Sequence, residues 1–395
     1  MPRPVPSLSD LLKTWTEPCL AVPPRLTRLT DGIHIETALS ADATLTLPTG
    51  LNFLRQDYLA LTRLPQSRRA PSATFGQSDA LAKRLAGFLG MPTARCHFSG
   101  SAAIGAAFQG LLAPEDQIIV DAGAPALMVA AAQATGARVH LTPSGSVDGV
   151  ERRLHRLSRE ARKGRLFVAV SAVAPYTSVT ADLAELQQLC ATYGALLIVD
   201  VSHDLGATAP TGRGMMELHG CLGQIDVVLG SFAKCLGAPG GFVALRDLAL
   251  ADRLAPSAPL SDENATMILA GLALIESPEG RRRRRCLHGS ILRLRNHLMA
   301  DGLRVLGQPS PIVPVALPHG SAQAMTTLLR SAGPAVQLLG PPLVARHAPR
   351  WRILLTSDHG PANIDDLAEL IHDLCRSFAR SHRSARQPQP MRLKA

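Results

Sequence analysis

The sequence predicts an α/β fold, with a mostly parallel central sheet in a large domain and a smaller α+β C-terminal domain. Three observations lead there. From about residue 75 to 250, short β-branched apolar runs alternate with segments of helical period, the pattern of a parallel sheet wrapped by helices. Two of those runs end on chemistry-bearing residues, where open α/β sheets place their ligands. These are Leu197-Ile198-Val199-Asp200, leading into Val201-Ser202-His203, and the run through Val227-Val228-Leu229 that reaches Ser231-Phe232-Ala233-Lys234. Beyond about 250 the chain turns helical and basic, then strand-like again, as expected of a second unit. A length of 395 residues suffices for two or three lobes.

Taken in order, residues 1–45 read as an N-terminal arm. It holds an amphipathic turn (Leu8, Leu11, Leu12 and Trp15), a proline-rich stretch, and strand-like pieces at Ile33–Ile35 and Leu45–Leu47. The large domain is expected over 46–275. Ala80–Leu89 spaces Leu81, Leu85 and Phe88 on one helical face, and Ser101–Leu112 is a second helix ending at Pro114-Glu115-Asp116. Strands are expected at Ile118–Val120, Leu166–Val168, Leu196–Val199 and Val227–Leu229, with a helix over Leu183–Cys190. The small domain is expected over 276–380, with a strand at Trp351–Leu355 and a closing amphipathic helix over Ile364–Phe378. Residues 381–395 read as a basic, disordered tail. No internal repeat is visible.

Composition narrows the function classes. Only 4% of residues are aromatic, too few for a base-stacking platform, so a nucleic-acid binder is not expected despite the net charge of +10. That charge concentrates in Arg281–Arg285 and in a tail containing Arg383, Arg386, Arg392 and Lys394. It reads either as a solvated helix face and frayed end, or as a landing site for coenzyme A phosphates or an acidic carrier protein. Seven dispersed cysteines without a Cys-x-x-Cys pair suggest neither a disulfide framework nor a zinc site. There is no apolar leader at Met1-Pro2-Arg3-Pro4 and no bilayer-length run, so a reducing cytoplasm and no membrane partner are expected.

Five groups carry chemistry. Lys234 follows an apolar strand and precedes Gly237, Gly240 and Gly241; desolvation there lowers its pKa and suits it to a Schiff base. Asp200 closes a strand, where a carboxylate needs a partner such as a pyridinium nitrogen. His203 is placed to hydrogen-bond a cofactor's phenolic oxygen. Gly100, Ser101 and Ala102 open a helix whose bare amides would seat a phosphate, and Ser231 could add a hydroxyl. Arg350 and Arg352 flank Trp351 on one strand face, where a guanidinium could grip a substrate carboxylate. Together these groups point to pyridoxal 5'-phosphate.

In order and spacing the same residues resemble the α-oxoamine synthases, fold-type-I pyridoxal-phosphate enzymes, over roughly 50–375. Gln56-Asp57-Tyr58-Leu59-Ala60-Leu61 looks like the family's Asn-Asp-Tyr-Leu-x-Leu opening. Phe98-Ser99-Gly100-Ser101-Ala102-Ala103 resembles its phosphate loop, and Asp200-Val201-Ser202-His203-Asp204-Leu205-Gly206 its Asp-Glu-x-His-Ser-x-Gly segment. Gly212-Arg213-Gly214 follows at the family's distance. Ser231-Phe232-Ala233-Lys234 matches its Schiff-base lysine motif, and Arg352–His359 its carboxylate-binding strand. The chain departs from that pattern in its pocket walls. Pro125 stands at the ring-stacking histidine, Pro175 at a serine, Ser171 at a glutamate, and Arg68–Ala73 replaces a glycine-rich stretch; Ser257-Ala258-Pro259 keeps only part of a Ser/Thr segment.

The resemblance implies decarboxylating condensation of an α-amino acid with an acyl thioester, on coenzyme A or a carrier protein, to an α-amino ketone. In it Lys234, Asp200 and His203 are catalytic, Arg352 holds the carboxylate, and the enzyme is a homodimer. The alternatives are another fold-type-I reaction, such as transamination or aldol cleavage, and a catalytically impaired member acting as a binding protein.

Overall fold

In the computed structural model the residues described are 52–64, 76–161 and 163–384. The expected N-terminal arm, the Arg68–Ala73 departure and nearly all of the basic tail lie outside them. The large sheet has seven strands: β1 (Thr93–His97), β2 (Gln117–Asp121), β3 (Arg138–Thr142), β4 (Leu166–Ser171), β5 (Ala195–Asp200), β6 (Val227–Ser231) and β7 (Gly241–Leu245). Their order is β1-β7-β6-β5-β4-β2-β3. Pairings from β3 through β6 are parallel, whereas β7 runs antiparallel to both β6 and β1. The fold is thus α/β with a mostly parallel central sheet, as expected.

Parallel strands covered on both faces must be apolar throughout, and β4 shows how the period of two divides the core. Leu166, Val168 and Val170 join one apolar cluster, and Phe167 and Ala169 join the other. The first cluster continues into the C-terminal elements, through Trp351, Ile353 and Leu367. Edge strand β3 is different: Arg138 and Leu141 are exposed, and only His140 and Thr142 are buried. Its short alternation is inverted, with apolar Leu141 exposed and polar His140 and Thr142 buried, so no apolar run marks it in the sequence.

The helices are α1 (Gln77–Leu89), α2 (Gly100–Leu111), α3 (Ala126–Ala134), α4 (Val147–Arg159), α5 (Leu183–Tyr193), α6 (Met215–Leu218), α7 (Leu248–Ala251), α8 (Asp262–Glu276), α9 (Pro278–Ala300), α10 (Ala322–Ser331) and α11 (Pro361–Ser384). Their starts follow capping chemistry. Ser99, Asp182 and Ser277 each accept an amide of the first turn, from Ala102, Glu185 and Gly280. A second, antiparallel sheet of β8 (Ile312–Ala316), β10 (Arg350–Leu354) and β9 (Gln337–Leu339), in that order, packs with α10, which packs in turn on α11.

The arginine run corrects one reading of the charge. Arg281–Arg285 lies on α9, but its middle is a brace rather than a solvated face. Arg284 is buried and donates to the carbonyls of Ile275 and Pro210; burial pushes its pKa down to about 10. Arg283 bonds Glu279, Asp358 and the Leu59 carbonyl, which ties α9 to the segment that carries Tyr58. Neither side chain is left to receive a phosphate. The cysteine expectation is corrected at one position as well: Cys286 is disulfide-bonded, although Cys96, Cys190, Cys221, Cys235 and Cys375 are free. Spacing along the chain carries no information on such a pair.

Candidate active site

The C-terminal ends of β5 and β6, the start of α2 and one face of β10 enclose a cavity of about 470 Å³. Its lining includes Gly100, Ser101, Asp200, His203, Ser231, Lys234 and Arg352. The structure therefore gathers seven of the eight expected site residues. The eighth, Ala102, is not in the lining: its amide is taken by the Ser99 cap at 3.0 Å. The donors left for an anion are the Gly100 and Ser101 amides, which have no acceptor within the helix, and the Ser101 and Ser231 hydroxyls. Glycine is required at position 100, since a Cβ there would lie 2.8 Å from Ser231 Cβ.

Asp200 is the last residue of β5 and only 5% exposed. Its Oδ1 accepts both the Ser202 amide (2.9 Å) and the Ser202 hydroxyl (2.5 Å), so Oδ2 remains for a ligand in the cavity. Burial raises its pKa against the lowering effect of these bonds and of Lys234. A cationic ring nitrogen is the partner that would hold it ionised.

Lys234 stands in the turn after β6. That turn closes through a bond from the Gly237 amide to the Lys234 carbonyl, with Gly237 at φ +60° and pressed against Thr62. A side chain at 237 would collide with Thr62 and strain the backbone. Burial, then the nearby Arg352, lower the Lys234 pKa, and Asp200 partly offsets them. Its Nζ donates to Gln56 Oε1. An amine that sheds its proton more easily is the property a nucleophilic or proton-transferring lysine needs.

His203 is buried, and its Nδ1 lies 2.7 Å from the Tyr58 hydroxyl. Burial holds the imidazole well below its usual pKa, with Arg352 and Lys234 adding to the effect, and burial raises the Tyr58 phenol. The phenol is therefore the donor and Nδ1 the acceptor, which places the imidazole proton on Nε2. A neutral histidine in that tautomer is a fixed donor for a phenolate oxygen.

Arg352 is buried in β10 with its guanidinium 5.9 Å from the centre of the Tyr176 ring. One nitrogen donates weakly to Gln337 at 3.4 Å, and Nε is buried without a partner. A guanidinium held with unused donors is prepared for a carboxylate. Arg350 shares the strand face but borders a different cavity. The departures also sit in the wall: Pro125 and Pro175 both line the site.

Sequence reasoning assigned no role to Gln56, Tyr58, Ser202 or Tyr176. Gln56 and Tyr58 stood within the quoted motif, yet their partners are 178 and 145 residues away, a separation invisible to local pattern.

The donor set fits pyridoxal 5'-phosphate: an anion seat at a helix start, a buried carboxylate with one oxygen unused, a neutral histidine donor and a lysine of lowered pKa. Comparison with known proteins agrees. The family model "Aminotransferase class I and II" matches residues 58–371. The 8-amino-7-oxononanoate synthase of Salmonella arizonae is 30% identical over 346 residues, covering 82% of this chain and 88% of the relative. That of Citrifermentans bemidjiense is 29% identical over 314 residues, covering 78% and 80%. Among solved structures, Sphingomonas wittichii serine palmitoyltransferase aligns with a TM-score of 0.75 at 21% identity, covering 82% and 87%. The Francisella tularensis 8-amino-7-oxononanoate synthase aligns at 0.70 and 19%, covering 83% and 98%; both of these establish the fold alone. The chain belongs to the class I and II aminotransferase family, and within it to the α-oxoamine synthases, pyridoxal-phosphate-dependent acyl-transferring enzymes.

Proposed function

We propose that the protein condenses an α-amino acid with an acyl thioester, releasing carbon dioxide and the free thiol and forming an α-amino ketone. The observation that carries this reading is the convergence of Lys234, Asp200, His203 and Arg352 on one cavity. Arg352 binds the substrate carboxylate, steadied by Tyr176. Lys234 Nζ, its pKa lowered, takes the proton from Cα and later returns one to the same carbon. Asp200 Oδ2 holds a proton on the cofactor's ring nitrogen, and the Nε2–H of His203 orients the phenolic oxygen. The bound cofactor supplies the electron sink for charge developing at Cα. Amino acid, thioester and one proton balance against amino ketone, carbon dioxide and thiol.

The decisive experiment titrates the purified, cofactor-loaded protein with a panel of amino acids, with and without acyl thioester. Absorbance reads the cofactor, and carbon dioxide and free thiol are measured. Carbon dioxide released only when thioester is present supports the proposal. A keto acid or an aldehyde product overturns it in favour of transamination or aldol cleavage, the reading that Pro125 and Pro175 in the wall favour. An unchanged cellular role for Lys234→Ala would instead indicate a binding protein.

Coenzyme A or a carrier protein as thioester carrier, a homodimer, and division into a 46–275 large and a 276–380 small domain belong to the same proposal. So does a cytoplasmic site of action; the five free cysteines support it and the bonded Cys286 opposes it. No helix among the described residues is long and apolar enough to cross a membrane.

A further inference from the structure

A second cavity, of about 510 Å³, is lined by Thr177, the neighbour in sequence of Tyr176 in the catalytic cavity. Its apolar wall includes Val179, Leu306 and Leu317, and its polar wall includes Arg304, His347 and Arg350. No Asp or Glu lines it. Several arginines elsewhere do have a carboxylate partner, among them Arg165 with Asp116, Arg246 with Asp226, Arg282 with Glu279 and Arg293 with Asp365. Arg304 and Arg350 have no carboxylate partner among the described residues.

Arg350 is not idle surface charge. It is buried, and its Nε and one terminal nitrogen are fixed on the Ala348 carbonyl at 3.2 and 3.1 Å. Those bonds aim the guanidinium and leave its other terminal nitrogen, Nη1, for a ligand. Burial, and after it the charge of Arg304 in the same cavity lining, lower the pKa of Arg350. Both guanidiniums line one cavity that holds no carboxylate, so an oxyanion between them would meet two uncompensated positive charges. The volume is that of an ordinary small-ligand site.

We propose that this cavity binds an aliphatic chain ending in an oxyanion, the chain lying along Val179, Leu306 and Leu317 and the oxyanion held by Arg304 and Arg350 with His347. A carboxylate and a phosphate share this chemistry, and the probes separate them. The cavity stands on residues outside the catalytic set, so the proposal does not depend on the reaction assigned above.

The test is isothermal titration of the full-length, cofactor-loaded protein, whose phosphate seat is then filled, with octanoate, octyl phosphate and neutral octanol. Saturable binding of octanoate or octyl phosphate at one site, at least tenfold tighter than octanol, is expected. The tighter of the two anions identifies the head group. Arg304→Gln, at an exposed position that leaves the fold undisturbed, weakens that binding at least tenfold, and His347→Gln weakens it further. No saturable binding of either anion, octanol binding equal to the anions, or an Arg304→Gln protein that binds as tightly as the parent overturns the proposal.

Discussion

Replacing Asp204 by asparagine should change how stability depends on pH, by an amount the structure allows to be worked out. The Asp204 side chain is fully buried beside the catalytic carboxylate; its Oδ2 accepts the Met215 amide at 2.6 Å and its Oδ1 has no partner. Burial is the main cause that raises its pKa, with the charge of Asp200 adding to it, from 3.8 to about 7, against the lowering pull of the Met215 amide. The folded protein therefore holds this proton up to about pH 7, whereas the unfolded chain releases it near 3.8. Between those values the unfolded state binds fewer protons, so stability is full below the lower value and falls as pH rises toward the higher, by about 1.4 kcal/mol per unit. The whole window amounts to about 4 kcal/mol. Asparagine has no proton to lose, and its side-chain oxygen can still accept from Met215. Urea unfolding of parent and Asp204→Asn between pH 5 and pH 8 should show the variant gaining about 3 kcal/mol on the parent. Parallel stability curves across that range would mean that Asp204 is already ionised in the folded protein, and would refute the reasoning.

Three further outcomes are expected. Tyr58→Phe leaves the buried Nδ1 of His203 without its donor, at a cost of about 1–3 kcal/mol in urea unfolding, and lowers kcat more than it changes the KM for the amino acid. Arg352→Ala removes a charge-assisted carboxylate contact worth about 1.5–3 kcal/mol, so the KM for the amino acid rises roughly ten- to a hundredfold. Arg352→Lys, a point charge without the planar fork, fails to restore it. Gly100→Ala forces a methyl group against Ser231 and should weaken cofactor binding in equilibrium dialysis by about tenfold or more. Unchanged cofactor affinity in that variant would remove the phosphate seat from the start of α2.

Legibility in the sequence followed burial. Strands β2, β4, β5 and β6 lie in the middle of the sheet, are apolar on both faces, and could be read directly. The two edge strands β3 and β1, exposed in part, could not be read; β7 is the exception, buried throughout but opening on the glycines that follow Lys234. Asp200, His203 and Lys234 were legible for a related reason: a polar group at the end of a buried strand is conspicuous by its cost. Arg284 shows the opposite failure. A run of five arginines looks like solvent-facing charge, and only the fold shows that one of them is spent on the Ile275 and Pro210 carbonyls.

The same distinction bears on what the enzyme acts upon. Groups that hold the cofactor are constrained by its fixed shape and charge, so they recur at fixed spacing and can be recognised one by one. The wall facing the second substrate is constrained only collectively, by the volume and polarity it leaves. The lining here includes Pro125 and Pro175, two rigid residues with no side-chain donor, together with Phe98, an aromatic left about half exposed at the cavity. A wall of this composition offers an incoming acyl group apolar contact and few hydrogen bonds. Discrimination between chains would then come from length and shape, at about 1–3 kcal/mol per methylene, rather than from polar recognition. The proposed reaction rests on Lys234, Asp200, His203 and Arg352; exchange at Pro125 or Pro175 should test which reaction follows, whereas exchange at Phe98 should change the chain that is accepted while the chemistry stays the same.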